Sequence, residues 1–477
     1  MIRSRPQLLL FSMLVLLLKH NSVVAEECII KDIYPADTGN MIVSTLEYLA
    51  ADERDGRVIE TCGSAEARAW LIYQLELLGV SPAGTNGFIQ TFSTPLLFSF
   101  PFLRFDPIFD GRRTGHNIIG IYYPEGTEGM PPKILLSAHY DGINDKITHC
   151  HQIPGSIEKG YSEVCNAAVD NATGVGIILD ILVSVKEELK SPVAIAFWDG
   201  EEDKTAEGFI WGLNQILGSG YFAKYPSFDS QELALHVNME SIGYDLFPDK
   251  ENHIFIIGDH SGGEKLRTDV ASAFGGIDLE IENAHYGLAQ TRTDLQGFIQ
   301  GDWEVPYLVI TSGPGSTYHT NADQYRPELG DKNPVNIAKA QKVADAIKNL
   351  TFMVNNQNRV YPYEPIGKYY FGLFPLLDVS FETHALMANF AKEALDSYGF
   401  LIPRSSSDDT PVCDPSLRGV DRSVCRDLLK LWKVLKKHSN DEIRQLFWPA
   451  NILGRYALAQ KVDQFFKLIQ KYSLSKL

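Results

Sequence analysis

Short apolar runs alternate with helical patterns from about residue 40 to residue 355, and this alternation constrains the fold more than any other feature of the sequence. The runs are rich in Ile, Val, Leu and aromatic residues and are bounded by Gly, Pro or Asp, as strands are. They read HNIIGIYYP, KILLSAHYD, VAIAFWDGEE, ALHVNMES, HIFIIGD and YLVITSG. Segments with helical periodicity lie among them: SAEARAWLIYQLELLG, ATGVGIILDILVSVKEELK, GEKLRTDVASAFG and NPVNIAKAQKVADAIKNLTFMV. This interleaving predicts an α/β fold, a mainly parallel mixed sheet with helices on both faces.

The N-terminus has a different character. Arg3 and Arg5 precede an apolar run over residues 8–18, and the small residues VVA follow shortly after. This order of basic, apolar and small residues is typical of a signal peptide, and the run is too short to span a bilayer well as an uncleaved anchor. We interpret residues 1–25 as a cleaved signal peptide and predict a secreted or periplasmic protein.

The remaining chain divides into two parts by its patterns. Residues 26–355 hold all the predicted strands and most helices, and we predict that they form one domain. Residues 356–477 look helical apart from a polar, proline-containing interruption, PRSSSDDTPVCDPSLRGVDRSVC. We predict that they form an α-helical C-terminal extension.

The cysteines indicate the redox environment of the protein, and the net charge indicates which classes of partner are unfavourable. An even number of cysteines in an exported chain indicates disulfides, and in sequence order they fall into local pairs, 28/62, 150/165 and 413/425. The net charge of −17 becomes more negative once the basic signal peptide is removed. Such an acidic surface argues against nucleic acid or anionic membranes as partners. No further long apolar run predicts a membrane span after signal removal.

The stretch FWDGEEDKTAEGF crowds acidic residues directly after the apolar run VAIAFW. Like charges repel, and a buried carboxylate is costly unless it is paired or bound to a metal. The cluster around Glu201 and Glu202 is therefore either a solvated turn or the surroundings of a cation. In open α/β sheets ligands bind at the carboxyl ends of the strands, so the polar residues at the other strand ends bear on the choice.

Those strand ends carry histidines and carboxylates. His139 and Asp141 end KILLSAHYDG, and strand periodicity places them on one face, where Asp141 can hold the ring nitrogen that His139 does not offer to a ligand. Asp170 precedes a predicted helix, Glu240 ends VNMESIG, and His319 follows YLVITSG. Each alone has a structural explanation, such as a core histidine or a helix cap. Together they match the ligands of divalent metal ions.

Charge balance supports a site for two metal ions. About four positive charges would be balanced by Asp170, Glu202, Glu240 and one hydroxide. Glu201 is then a carboxylate beside the metals but not bound to them. A hydrolase needs such a group as its general base, so one glutamate of the pair is predicted to bind metal and its neighbour to move protons.

Five motifs in this order, AHYDG, DNATGVG, FWDGEE, NMESIG and YHTNAD, resemble those of the co-catalytic zinc exopeptidases related to bacterial and fungal leucyl aminopeptidases. The segment DERDGRVIETCGSAEARAWLIYQLELLGV is similar to that family's N-terminal lead-in. The resemblance runs over about residues 40–350. It implies that residues 26–355 are a zinc peptidase domain, with two zinc ions bridged by one aspartate, that acts on peptide substrates as an aminopeptidase.

The resemblance also implies a role for each ligand. Asp170 would bridge the two ions, His139 and Glu240 would complete one site, and Glu202 and His319 would complete the other. The family more often has aspartate at the position of Glu240. The glutamate side chain is one methylene longer than that of aspartate, so the metal occupancy and the geometry of that site are specific points to test.

Three further roles follow from the same resemblance. Glu201 would be the general acid/base, Tyr318 would help to stabilise the oxyanion, and Asp141 would orient His139.

Three other functions are compatible with parts of the pattern. A glutaminyl cyclase shares the fold and uses one zinc, but cyclases tend to carry tryptophan before the final histidine, where this chain has tyrosine. A carboxypeptidase or dipeptidase needs a cation for the substrate carboxylate, for which Arg292 is a candidate. A non-catalytic binding protein on this fold would be expected to lack metal ligands.

Overall fold

The computed structural model describes residues 28, 30, 33–93, 114–144, 150–202, 217–246, 250–284, 293–300, 303–364, 381–401, 411–440 and 464–472. The predicted signal peptide and Arg292 lie outside the described residues.

One mixed sheet forms the centre of the described structure. Its strands are β1 (Ser81–Pro82), β2 (Ile89–Ser93), β3 (Thr114–Tyr122), β4 (Ile134–His139), β5 (Val193–Trp198), β6 (Leu235–Glu240), β7 (His253–Ile257), β8 (Glu280–Ala284) and β9 (Tyr307–Thr311). The strand order is β1-β3-β5-β4-β6-β9-β7-β8, and β2 pairs with β3 beside β1. The four central strands β5, β4, β6 and β9 run parallel, whereas β3 and β7 run antiparallel to their central neighbours.

All of the predicted strands are present, and the predicted mainly parallel mixed sheet is confirmed. The prediction missed β1, β2 and β8. All three are short and carry exposed positions, so they lack the continuous apolar run by which the buried strands are recognised.

Nine helices are described with named bounds. They are α1 (Met41–Leu49), α2 (Cys62–Leu77), α3 (Thr173–Val185), α4 (Leu217–Lys224), α5 (Gly263–Phe274), α6 (Leu295–Gln300), α7 (Ile337–Asn356), α8 (Phe381–Ser397) and α9 (Gly419–Asn440). Residues 464–472 form one more helical segment, called segment 464–472 below.

Sheet side chains alternate between two apolar layers, as the strand period of two requires. Ile134 and Leu136 of β4 face a first layer that contains α1, α2, α3, α5 and α7. Leu135 faces a second layer that contains α4 and α6. Helices therefore cover both faces, as predicted.

Helices beyond residue 355 complete the second layer. Met387 and Phe390 of α8, Leu428 of α9 and Phe465 of segment 464–472 belong to the same buried cluster as Phe255 of β7. The helical extension is confirmed where the structure describes it. The division at residue 355 stays a prediction, because the two parts share one core.

The core helix α3 is apolar on nearly all sides. Among the described residues, the stretch Ala168–Glu188 is long and apolar enough to cross a membrane, but 83% of its apolar window is buried within the protein. Because the first layer surrounds α3, its composition is that of a core helix.

The cysteines pair locally. Disulfides join Cys28 to Cys62, Cys150 to Cys165 and Cys413 to Cys425. Such bonds form and persist in oxidising compartments, so the pairing is compatible with an extracytoplasmic location.

Candidate metal centre

Two neighbouring strands bring the first pair of candidate ligands together. His139 is the last residue of β4 and Glu240 the last residue of β6, and these strands pair in parallel. Their carboxyl ends therefore lie side by side, and His139 Nε2 is 3.3 Å from Glu240 Oε1. Both side chains are buried.

Asp170 lies between the two candidate histidines. It belongs to the turn Ala168–Ala172, immediately before α3. Its Oδ1 is 3.3 Å from His139 Nε2, and its Oδ2 is 3.4 Å from His319 Nε2. Each carboxylate oxygen thus faces a different histidine, which is the arrangement that a bridging carboxylate requires.

The second pair of candidate ligands comes from loops. Gly200 follows β5 with φ of 79°, a left-handed conformation that glycine adopts without steric cost, and Glu202 comes two residues later. His319, in the loop after β9, also has a positive φ, 57°. Its Nε2 is 3.0 Å from Glu202 Oε1.

The candidate ligands thus form two triads that share Asp170. His139, Asp170 and Glu240 are the strand half of the site, and Asp170, Glu202 and His319 are the loop half. Within each triad the candidate ligand atoms lie within 4.8 Å of one another. One histidine with two carboxylates is a donor set that fits zinc, so the residues present fit the metal that the resemblance implies.

The electrostatics favour a cation at both triads. Burial raises the pKa of Glu202 and of Glu240 above the usual range of carboxyl groups. Burial alone would lower the pKa of His319, but the Glu202 and Asp170 carboxylates outweigh it and raise that pKa to about 9. The triads therefore retain protons that a bound metal ion would displace.

Asp141 connects the strand half to the paired glutamates. Its Oδ1 accepts the backbone N–H of Glu201 at 3.2 Å, and its Oδ2 accepts that of Glu202 at 3.0 Å. His139 Nδ1 lies 3.2 Å from the Asp141 carbonyl oxygen and 3.5 Å from its Oδ1. Asp141 thus contacts His139 through its backbone as closely as through its carboxylate.

The structure places the two predicted catalytic side chains at the triads. Glu201 is half-buried, and burial together with the Glu240 and Glu202 charges raises its pKa well above the usual range. The ring of Tyr318 stacks on that of His319, with ring centroids 3.8 Å apart.

Arg57 is a site residue that the sequence analysis missed. Its buried guanidinium donates hydrogen bonds to the carbonyl oxygens of Tyr140, Asn166 and Ala167, at 2.8, 2.7 and 2.9 Å. Tyr140 follows His139, and the other two acceptors precede Asp170. One side chain therefore fixes two ligand-bearing segments relative to each other.

Two buried aspartates were also missed. Asp323 accepts the backbone N–H groups of Val169 and Asp170 at 2.9 and 3.2 Å and so fixes the turn before α3. Asp294 is fully buried close enough to His139 and Glu240 to interact with them, and burial raises its pKa well above the usual range. Both occur in sequence contexts typical of an ordinary turn or helix cap, so nothing local distinguishes them.

A mixed α/β sheet with buried histidine and carboxylate side chains grouped at its carboxyl edge is the arrangement expected of a metal-dependent enzyme. Residues 117–342 match the model of Peptidase family M28. This match supports a zinc metallopeptidase, the class of enzyme that the sequence resemblance implies. The matched region contains every candidate ligand.

Solved structures similar to this chain include the following three. They are a leucine aminopeptidase precursor from Bacteroides thetaiotaomicron (17% identity, 67% of this chain and 98% of that chain, TM-score 0.47), a glutaminyl cyclase from Porphyromonas gingivalis (16%, 66% and 98%, 0.45), and a Zn-dependent exopeptidase from Parabacteroides distasonis (16%, 67% and 99%, 0.45). No curated protein matches the chain. These matches do not distinguish an aminopeptidase from a glutaminyl cyclase.

Proposed function

We propose that this protein is a secreted zinc aminopeptidase that removes N-terminal residues from peptides and binds two zinc ions. The observation that carries the proposal is the division of Asp170 between two triads, with Oδ1 facing His139 and Oδ2 facing His319. A carboxylate placed in this way would hold two zinc ions, one at each triad, as in known two-metal hydrolases.

The bound ions would supply Lewis acidity toward the scissile carbonyl and would lower the pKa of a water molecule to roughly 7. Glu201 acts as the general base. Its carboxylate accepts a proton from the attacking water as the new C–O bond forms, and it then donates that proton to the amine nitrogen as the C–N bond breaks.

Two further residues of the site, Asp141 and Tyr318, support this reaction. Asp141 accepts the backbone N–H of Glu201 and so fixes where the base lies. Tyr318, stacked on His319, is proposed to donate a hydrogen bond to the developing oxyanion.

Two features of the chain support the proposed secreted or periplasmic location. Residues 1–25 have the pattern of a cleaved signal peptide, and the structure pairs all six cysteines in disulfides. Both features fit a secreted or periplasmic enzyme.

The experiment that tests the proposal is a Glu201→Gln substitution assayed on aminoacyl anilides. Removing a general base should lower kcat about 100- to 10,000-fold and leave the metal content unchanged. The matched control is Glu187→Gln, which removes an exposed carboxylate beyond α3 and should leave turnover unchanged. A Glu201→Gln protein that keeps most of its turnover would contradict the assigned role.

The same enzyme should be offered a peptide with N-terminal glutamine. An aminopeptidase releases free glutamine, whereas a glutaminyl cyclase releases ammonia and leaves the peptide length unchanged. Ammonia release without any free amino acid would replace the proposed activity with cyclisation.

A further inference from the structure

Segment 464–472 lies far beyond residues 117–342, the region that matches the family model, but it contacts the loop that carries His319. The side-chain amide of Gln470 donates a hydrogen bond to the carbonyl oxygen of Tyr318, with Nε2 and O 2.6 Å apart. Tyr318 precedes His319 directly, and its ring stacks on the imidazole. A side chain from the end of the extension therefore holds the backbone next to a candidate metal ligand.

The same segment contacts the start of this loop. Phe466 is buried, and its ring lies so close to Gly313 that a Cβ built on that glycine would be 3.4 Å from the Phe466 ring. Gly313 follows the end of β9, so segment 464–472 contacts the loop both where it leaves the sheet and just before His319. The backbone of the same loop is also held by the N–H of His151, which donates to the His319 carbonyl oxygen at 2.9 Å.

The segment is itself anchored firmly enough to act as a support. Tyr472 packs against Tyr398 and Phe400, with ring centroids 4.0 and 4.9 Å apart. Phe465 is fully buried in the second apolar layer. The contact with Tyr318 is therefore made by a side chain on a fixed helix.

The loop half has a specific need for support. His319 is the most exposed of the candidate ligands, with a side-chain exposure of 18%, whereas that of His139 is 0%. Its positive φ is a conformation that residues other than glycine adopt at a cost and that surrounding contacts have to maintain.

We propose that Gln470 is a positioning residue for His319, through which the C-terminal extension maintains the loop half of the metal centre. The inference rests on the proposed function only in that a metal ion is assigned to His319. It predicts an asymmetric effect: disturbing the Gln470 contact should weaken the loop half and leave the strand half intact.

The test compares Gln470→Leu with Lys471→Leu in the full chain. Lys471 is the exposed neighbour whose Nζ contacts Ser423 Oγ at 3.3 Å, away from the site, so this variant controls for changes to the segment itself. Zinc release to a chelator is followed by absorbance, and hydrogen exchange is measured on peptides that cover residues 312–321 in the metal-free protein.

Gln470→Leu should accelerate release of one of two zinc equivalents about 3- to 10-fold, the range expected for loss of one hydrogen bond. Exchange of the 312–321 peptides should rise by a similar factor, and the melting temperature should match that of Lys471→Leu. Gln470→Lys, which keeps a donor at this position, should restore the wild-type rates.

Equal effects of Gln470→Leu and Lys471→Leu on both readouts would overturn the inference, as would faster exchange across the whole protein. A wild-type protein that binds fewer than two zinc ions would contradict the proposed function instead. The exchange measurement, which needs no metal, would then still decide whether Gln470 positions the loop.

Discussion

The strand half and the loop half of the candidate metal centre share one aspartate but are built differently. In the strand half, His139 and Glu240 are the terminal residues of two paired, buried strands. In the loop half, Glu202 follows a glycine turn and His319 lies in a loop with a positive φ. The sheet itself fixes the first pair, whereas the second pair depends on contacts from distant segments, namely Asp141, His151 and Gln470.

This difference implies a difference in metal retention. Ligands on packed strands lose little freedom when they bind an ion, whereas loop ligands must be held in place by the groups around them. We therefore expect zinc to leave the loop half faster than the strand half.

The largest effect is expected from Asp170→Asn. Because Asp170 faces both histidines, losing its charge should remove zinc from both halves and abolish turnover, which metal analysis of the purified protein would show. The matched control is Asp180→Asn on α3, whose carboxylate contacts Gln341 on the exposed side and should leave both equivalents in place. Retention of one full equivalent by Asp170→Asn would indicate that the halves do not share this ligand.

Metal removal should make stability strongly dependent on pH. Burial raises the pKa of Glu202 to about 7, so the folded metal-free protein retains a proton that the unfolded chain loses above about pH 4. The pKa of His319 is raised to about 9, and the stability that its folded charge contributes is present below about pH 6.5. As pH rises, the stability contributed by the carboxyl proton is lost between about pH 4 and pH 7. The stability contributed by the charged His319 is lost between about pH 6.5 and pH 9.

The melting temperature of the metal-free protein should therefore fall between about pH 4 and pH 9. The gap between zinc-loaded and metal-free protein should widen over the same range, because bound ions stabilise the deprotonated ligands. Scanning calorimetry of both forms measures this. A constant gap would mean that the retained protons do not occupy the positions assigned to metal.

A smaller effect is expected from removing the Cys150–Cys165 disulfide. Closing so short a loop stabilises the fold by roughly 3 kcal/mol in the chain-entropy model. The closed loop includes His151, whose backbone pairs with His319 and Asn321, so the loss should fall mainly on the loop half. Zinc release from a Cys150→Ser, Cys165→Ser double variant should accelerate for one equivalent, with removal of the Cys28–Cys62 disulfide, which lies outside the extension, as the control. Free thiols at both positions in the wild-type protein would contradict the pairing.

The smallest effect is expected from Glu240→Asp. Aspartate is the residue more common in the resembling family, so both zinc equivalents should remain, with an affinity change below about tenfold. Glu240→Gln keeps the length but removes the charge, and it should lose the strand-half ion alone. Titration of both variants with zinc separates length from charge, and loss of an ion in Glu240→Asp would show that the longer side chain is required.

The sequence was sufficient to locate the candidate ligands that end regular strands. His139 and Glu240 follow continuous apolar runs, so the strand ends could be located and their meeting inferred from the parallel sheet. Arg57 could not be found in this way, because its acceptors Asn166 and Ala167 lie 109 and 110 residues further along the chain. Gln470 is 152 residues from Tyr318, and no local pattern encodes a contact of that range.

The most direct test of the two-metal account is titration of the metal-free protein with zinc, followed by calorimetry together with metal analysis. The account predicts two equivalents per chain, bound in sequence, with the second to bind being the first to be released to a chelator. A protein that binds one zinc ion and accepts no second would contradict it.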